Sequence, residues 1–151
     1  MPFFHERNRE QLRSVYVASW RKWRAGQSLA PLEAQIARVI AEHPEYHALL
    51  EAPEAALAGD FLPEAGGENP FLHMGLHLAI RDQVSTDRPM GIARIHDQLS
   101  ERLGSAHAAE HRMLEALGET LWEAGRRGTP PDESAYFERL ERLLTERGRA
   151  S

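Results

Sequence analysis

The side chains in this sequence with the most chemistry to offer are histidine and glutamate. His107-Ala-Ala-Glu-His111 and His73-Met-Gly-Leu-His77 each set two histidines four residues apart, and together they hold half of the 8 histidines. A step of four residues along a helix returns to nearly the same face, so each pair projects from one side of its segment. Glu33 and Glu110 fall, with these histidines, at positions that neighbouring leucines and isoleucines assign to an interior. A buried carboxylate is costly unless it is paired or bound to a cation. Imidazoles and carboxylates facing one another from several helices are how helical bundles hold non-haem iron, manganese or zinc. The expected metal ligands are therefore Glu33, His73, His77, His107, Glu110 and His111, with the choice among those three metals open.

The same residues have a plainer reading. Inward histidines and glutamates can form a hydrogen-bonded core in a non-catalytic structural or protein-interaction module. Glu110 suits a salt bridge to Arg81 or Arg112 if its helix is rotated outward. His43, next to Pro44, suits a cap at a helix end, where the dipole favours an imidazole. His47 suits an exposed position, and His5 and His96 have no partner pattern. His107-Ala-Ala-Glu-His111 also fits the zinc-peptidase pattern H-x-x-E-H, in which the glutamate activates water. That pattern is short, and no third ligand stands out after it, because the later acids lie mostly at solvated helix positions.

The elements that must position these residues are all helical. A first helix is expected over about residues 6–25, with Leu12, Val15, Tyr16, Ser19 and Trp23 on one face and Gly26 as the stop. Ser28 or Ala30 with Pro31 opens a second helix, whose buried stripe runs Leu29, Leu32, Glu33, Ile36, Val39, Ile40, His43. Pro44 interrupts it, and Glu45–Glu51 can restart as a short helix. From Ala52 to Pro70 the prolines and glycines predict a long connection with one helical turn at Glu54–Leu57. Asn69 as N-cap and Pro70 as first residue open a third helix, about 70–84, with the stripe Leu72, His73, Leu76, His77, Ile80, Val84. A shorter helix, about 90–103, then one capped by Ser105 over about 106–125, and a last one over about 133–147 complete the chain. No segment alternates like a strand. The expectation is an all-α fold, an up-and-down bundle of about four core helices with short additional ones, in a single domain spanning 1–151.

Composition sets the outer bounds. A chain of 151 residues, 42% hydrophobic and 27% charged, is long enough to bury a core without staples. The absence of cysteine excludes disulfides, thiolate nucleophiles and cysteine-ligated metals. The net charge of −5 argues against nucleic acid as a partner. No apolar run reaches the roughly 18 residues of a membrane span, and the early charges do not suit a signal peptide. A cytoplasmic location is expected, a homodimer is compatible with these features, and no protein partner is indicated.

The run Asn69-Pro-Phe-Leu-His-Met-Gly-Leu-His-Leu-Ala-Ile80, then Asp87-Arg-Pro-Met-Gly-Ile92, then His107-Ala-Ala-Glu-His111, resembles a family of small bacterial proteins, domain of unknown function 1841. Pro31-Leu-Glu33 and His43-Pro-Glu-Tyr-His47 are similar to its N-terminal half. The resemblance implies a short, soluble, cytoplasmic helical protein with no assigned activity. It assigns no catalytic residue, so the metal reading rests on side-chain placement.

Overall fold

A computed structural model describes the backbone of residues 2–59 and 69–146, and the side chains of residues 9–57, 59 and 69–146. The side chain of His5 and residues 60–68 of the expected long connection lie outside what the structure describes. The chain is all-α, with no strand among the described residues. Its helices are α1 (Pro2–Arg24), α2 (Pro31–Ala41), α3 (His47–Leu50), α4 (Pro53–Ala58), α5 (Pro70–Thr86), α6 (Ile92–Leu103), α7 (Ala106–Arg127) and α8 (Glu133–Thr145), with a 3-10 turn at Pro44–Tyr46. The described chain gathers into two compact units, residues 1–78 and 79–151, and the division falls inside α5.

In the first unit α1 packs on α2 and α4. Its core is built from Tyr16, Val17 and Trp20 of α1, Ile36, Val39 and Ile40 of α2, Leu50, Ala56, and Phe71 and Met74 of α5. The α1 stripe is turned from the expected one: Tyr16 and Ser19 are buried, while Leu12, Val15 and Trp23 are exposed. Val17 and Trp20 take the inner positions, a rotation of about one residue that a 3.6-residue period leaves open when both sides of the stripe carry apolar residues. Arg13 is fully buried, and its guanidinium Nη1 donates to the carbonyls of Ala56, Leu57 and Gly59 (3.3, 3.4 and 2.7 Å). It therefore closes the C-terminal end of α4, whose last carbonyls have no partner within the helix. The guanidinium also lies 4.9 Å from the centroid of Phe71, a cation–π arrangement.

In the second unit α6, α7 and α8 pack pairwise. The buried side chains include Ile92, Ile95 and Leu99 from α6, Met113, Leu114 and Leu117 from α7, and Tyr136 and Leu140 from α8. The Asp87-Arg-Pro-Met-Gly run is a helix-opening device. Asp87 Oδ1 accepts from Gly91 N and Ala93 N, both at 3.1 Å, capping the start of α6. Gly91 has φ of 101°, and a Cβ there would lie 3.1 Å from the Phe137 ring, so glycine is required twice over. Ser105 caps α7 as expected, its hydroxyl accepting from Ala108 N at 3.1 Å. The helix runs through Gly125 and stops only at Gly128, which adopts the left-handed conformation at φ 66°. A glycine inside a helix costs only about 1 kcal/mol, which a packed face can absorb, whereas the left-handed residue ends it.

Candidate metal centre

Helix α5 begins as its sequence requires. Asn69 Oδ1 accepts from Phe71 N and Leu72 N (3.0 and 3.2 Å), and Pro70 occupies the first helical turn, where its missing N–H costs nothing. This start orients α5 so that Phe71, His73, Met74, His77 and Ile80 turn inward, while Leu72 is 59% exposed. His73 and His77 are 8% and 0% exposed, and their Nε2 atoms stand 3.1 Å apart.

A third imidazole reaches this pair from the end of α2. Pro44 disfavours helical geometry at His43, which adopts φ −126°, ψ 71°. The His43 N–H then bonds to Ile40 O at 2.9 Å, and Val39 O is taken by the ring Nδ1 at 2.7 Å. A carbonyl can only accept, so Nδ1 carries the proton and Nε2 is the ring nitrogen whose lone pair a cation would take. His43 is 4% exposed, and its ring centroid lies 5.2 Å from that of His73 and 4.7 Å from that of His77. Each of the three offers one nitrogen, and the three nitrogens lie within 4.8 Å of one another. Among the described residues this is the group of three or more potential ligands that converges. Tyr46 lies face to face with His43 (5.6 Å, 6° between planes) and edge-on to His73 (6.2 Å).

Two imidazole nitrogens bound side by side to one ion at about 2.0–2.1 Å stand roughly 3.0–3.4 Å apart. The His73–His77 separation already has this value. Bringing the whole group to such spacing takes side-chain movement on the order of 1 Å. The Nδ1–H to carbonyl bond of His43 is the outer contact that typically fixes the tautomer of a metal-binding histidine.

The other expected ligands are engaged locally. Glu33 lies in the first turn of α2, where Oε1 accepts from Ala30 N at 2.8 Å and Oε2 pairs with Lys22 Nζ at 2.7 Å. Ala30 has no side-chain acceptor, so this is the reciprocal half of a capping box. Glu33 is only partly buried, and the Lys22 and Ala30 contacts hold its carboxyl below the usual range. In the second unit Glu110 is buried, and both its oxygens accept from Arg81 Nε at 3.0 and 3.1 Å. His111 Nδ1 lies 3.8 Å from Glu115 on the next turn, and His107 is exposed. Sequence reasoning placed His43 on the buried stripe of α2 but read it only as a cap. The signal of its further role is the His-Pro step itself, which turns the ring back onto a carbonyl of its own helix through Nδ1.

No helix among the described residues is long and apolar enough to cross a membrane. No curated protein and no solved structure matches the chain. The motifs that open α5 and α6 and the His107–His111 segment all lie inside residues 8–142, the stretch matched by one family profile, and the chain belongs to that family, described as Domain of unknown function (DUF1841).

Proposed function

We propose that the protein binds a single transition-metal ion through His43, His73 and His77. The observation that carries this reading is the convergence of three buried imidazole nitrogens within 4.8 Å. Imidazole nitrogens that face one another from separate elements at this spacing can share one divalent ion. An imidazole set suits zinc or iron, whereas manganese prefers carboxylate and water oxygens. Glu33 keeps its capping role, and His107, Glu110 and His111 serve the second unit. Whether the ion is structural or activates a bound water depends on the remaining coordination positions.

The test is elemental analysis of protein purified without chelators, before and after loading with zinc, iron or manganese. One ion per chain is the result expected for the wild type, falling well below that in His43→Gln, His73→Gln and His77→Gln and unchanged in the double variant His107→Gln, His111→Gln. A loaded wild-type chain that stays empty overturns the proposal. The 3.1 Å contact between His73 and His77 also suits an ordinary imidazole hydrogen bond in a non-catalytic interaction module. Under that second reading the same substitutions change stability and leave the metal content at zero throughout.

A further inference from the structure

We propose that His47 is a positioning residue for the metal ligand His43, held in place by Trp20; this rests on the metal reading above. His43 and His47 flank the 3-10 turn Pro44–Tyr46. The ring of His43 takes the carbonyl of Val39, and the ring of His47 takes that of Ile40, its Nε2 at 2.7 Å. These are neighbouring carbonyls at the end of α2, beyond which Pro44 offers no N–H, and Ile40 O also accepts from the His43 N–H at 2.9 Å. Two imidazoles therefore fasten the turn to the helix it leaves, and the direction of His43 Nε2 depends on that turn.

His47 is in turn fixed by Trp20. The two rings stack at 4.4 Å with 33° between their planes. Trp20 is buried, yet its indole Nε1–H has no hydrogen-bond partner among the described residues. Buried indoles usually find an acceptor, because leaving the N–H unsatisfied costs about 1–3 kcal/mol. The ring thus sits where the contact with His47 requires it, not where its own hydrogen bond would be met. A local rule broken at one side chain, with the gain appearing at its neighbour, is the pattern expected beside a functional site. The chain of contacts runs from Trp20 to His47, to the Pro44–Tyr46 turn, and so to His43.

The test is a titration of the full-length chain with Co(II), read as affinity and as the ligand-field absorption spectrum. His47→Phe keeps an aromatic ring against Trp20 but removes the donor to Ile40. It is expected to weaken Co(II) binding by about 10–100-fold, the usual effect of losing an outer contact, and to alter the spectrum. His47→Gln, whose amide nitrogen can occupy the place of Nε2, should restore both. A role in stability alone would shift the melting temperature and leave affinity and spectrum unchanged. If His47→Phe does not fold, His47→Asn serves instead, since its shorter amide falls short of the Ile40 carbonyl that glutamine reaches. Wild-type affinity and spectrum in the variant without the donor overturn this proposal alone, whereas a wild-type chain that takes up no Co(II) overturns it together with the metal reading.

Discussion

The sharpest consequence of three converging imidazoles is a linkage between ion concentration and thermal stability that one substitution largely removes. An ion that binds only the folded chain stabilises it by RT ln(1 + [ion]/Kd), about 2.7 kcal/mol when the free ion stands at 100 times Kd. For a chain of this size 1 kcal/mol moves the melting temperature by about 2–4 °C, so the wild type should gain roughly 5–11 °C. His77, at 0% exposure and 3.1 Å from His73, is the position to change. Glutamine there keeps a donor and an acceptor, so without the ion the cost is that of imperfect packing and one altered hydrogen bond, about 1–2 kcal/mol. With one nitrogen fewer, a 100-fold rise in Kd leaves the same ion concentration near Kd and its contribution near 0.4 kcal/mol, a shift of roughly 1–2 °C. The assay is differential scanning calorimetry at buffered free zinc, run on both chains with and without the ion. Equal zinc-induced shifts in wild type and His77→Gln would refute the assignment of His77 as a ligand, and no shift in either would refute the site.

Three further consequences follow from local geometry. Gly91→Ala should destabilise the second unit by about 2–4 kcal/mol, combining left-handed strain with pressure on Phe137; Phe137→Leu in the same chain should recover part of this in chemical denaturation. Burial raises the Tyr16 phenol to about 12, so its contribution is intact below pH 10 and lost as pH rises to about 12. It amounts to about 2–3 kcal/mol, and denaturant midpoints measured across that window should fall less steeply in Tyr16→Phe. Glu33 is held below the usual carboxylate range by Lys22 and Ala30, so it stabilises the fold above that range and ceases to do so as pH falls through its folded value. The stability difference between wild type and Glu33→Gln should therefore be present at neutral pH and vanish in acid, and a difference that persists in acid would show that the carboxylate charge is not its source.

What the sequence made legible is what local chemistry decides. Asn69-Pro70, Ser105 and the Pro31 start each mark a helix start by supplying an acceptor or dispensing with a donor, and the helices begin there. The faces are less legible. Val15 and Val17, or Leu72 and Met74, are equally apolar neighbours on one turn, and only the packing partner selects between them. Glu33 shows the other limit. Its place on the α2 stripe suggested burial, but three residues after the N-cap a glutamate can reach back to the free N–H of the cap and remain at the surface.

The candidate centre shows why a repeated spacing reveals only part of a site. A His-x3-His pair within one helix fixes two nitrogens on one face, and α5 delivers them 3.1 Å apart. Two ligands from one helix lie along one edge of an ion, so the next must approach from another element, at a sequence distance that no helical period predicts. Here that approach is made by a residue whose own helix has just ended. Had α2 continued past His43, the His43 N–H would bond to Val39 O and its ring would stay on the helix flank. Pro44 ends the helix, the backbone N–H moves to Ile40 O, and the ring takes the vacated carbonyl with Nδ1. The proline thus sets both the direction and the tautomer of His43. The third candidate ligand is encoded in the residue after the histidine.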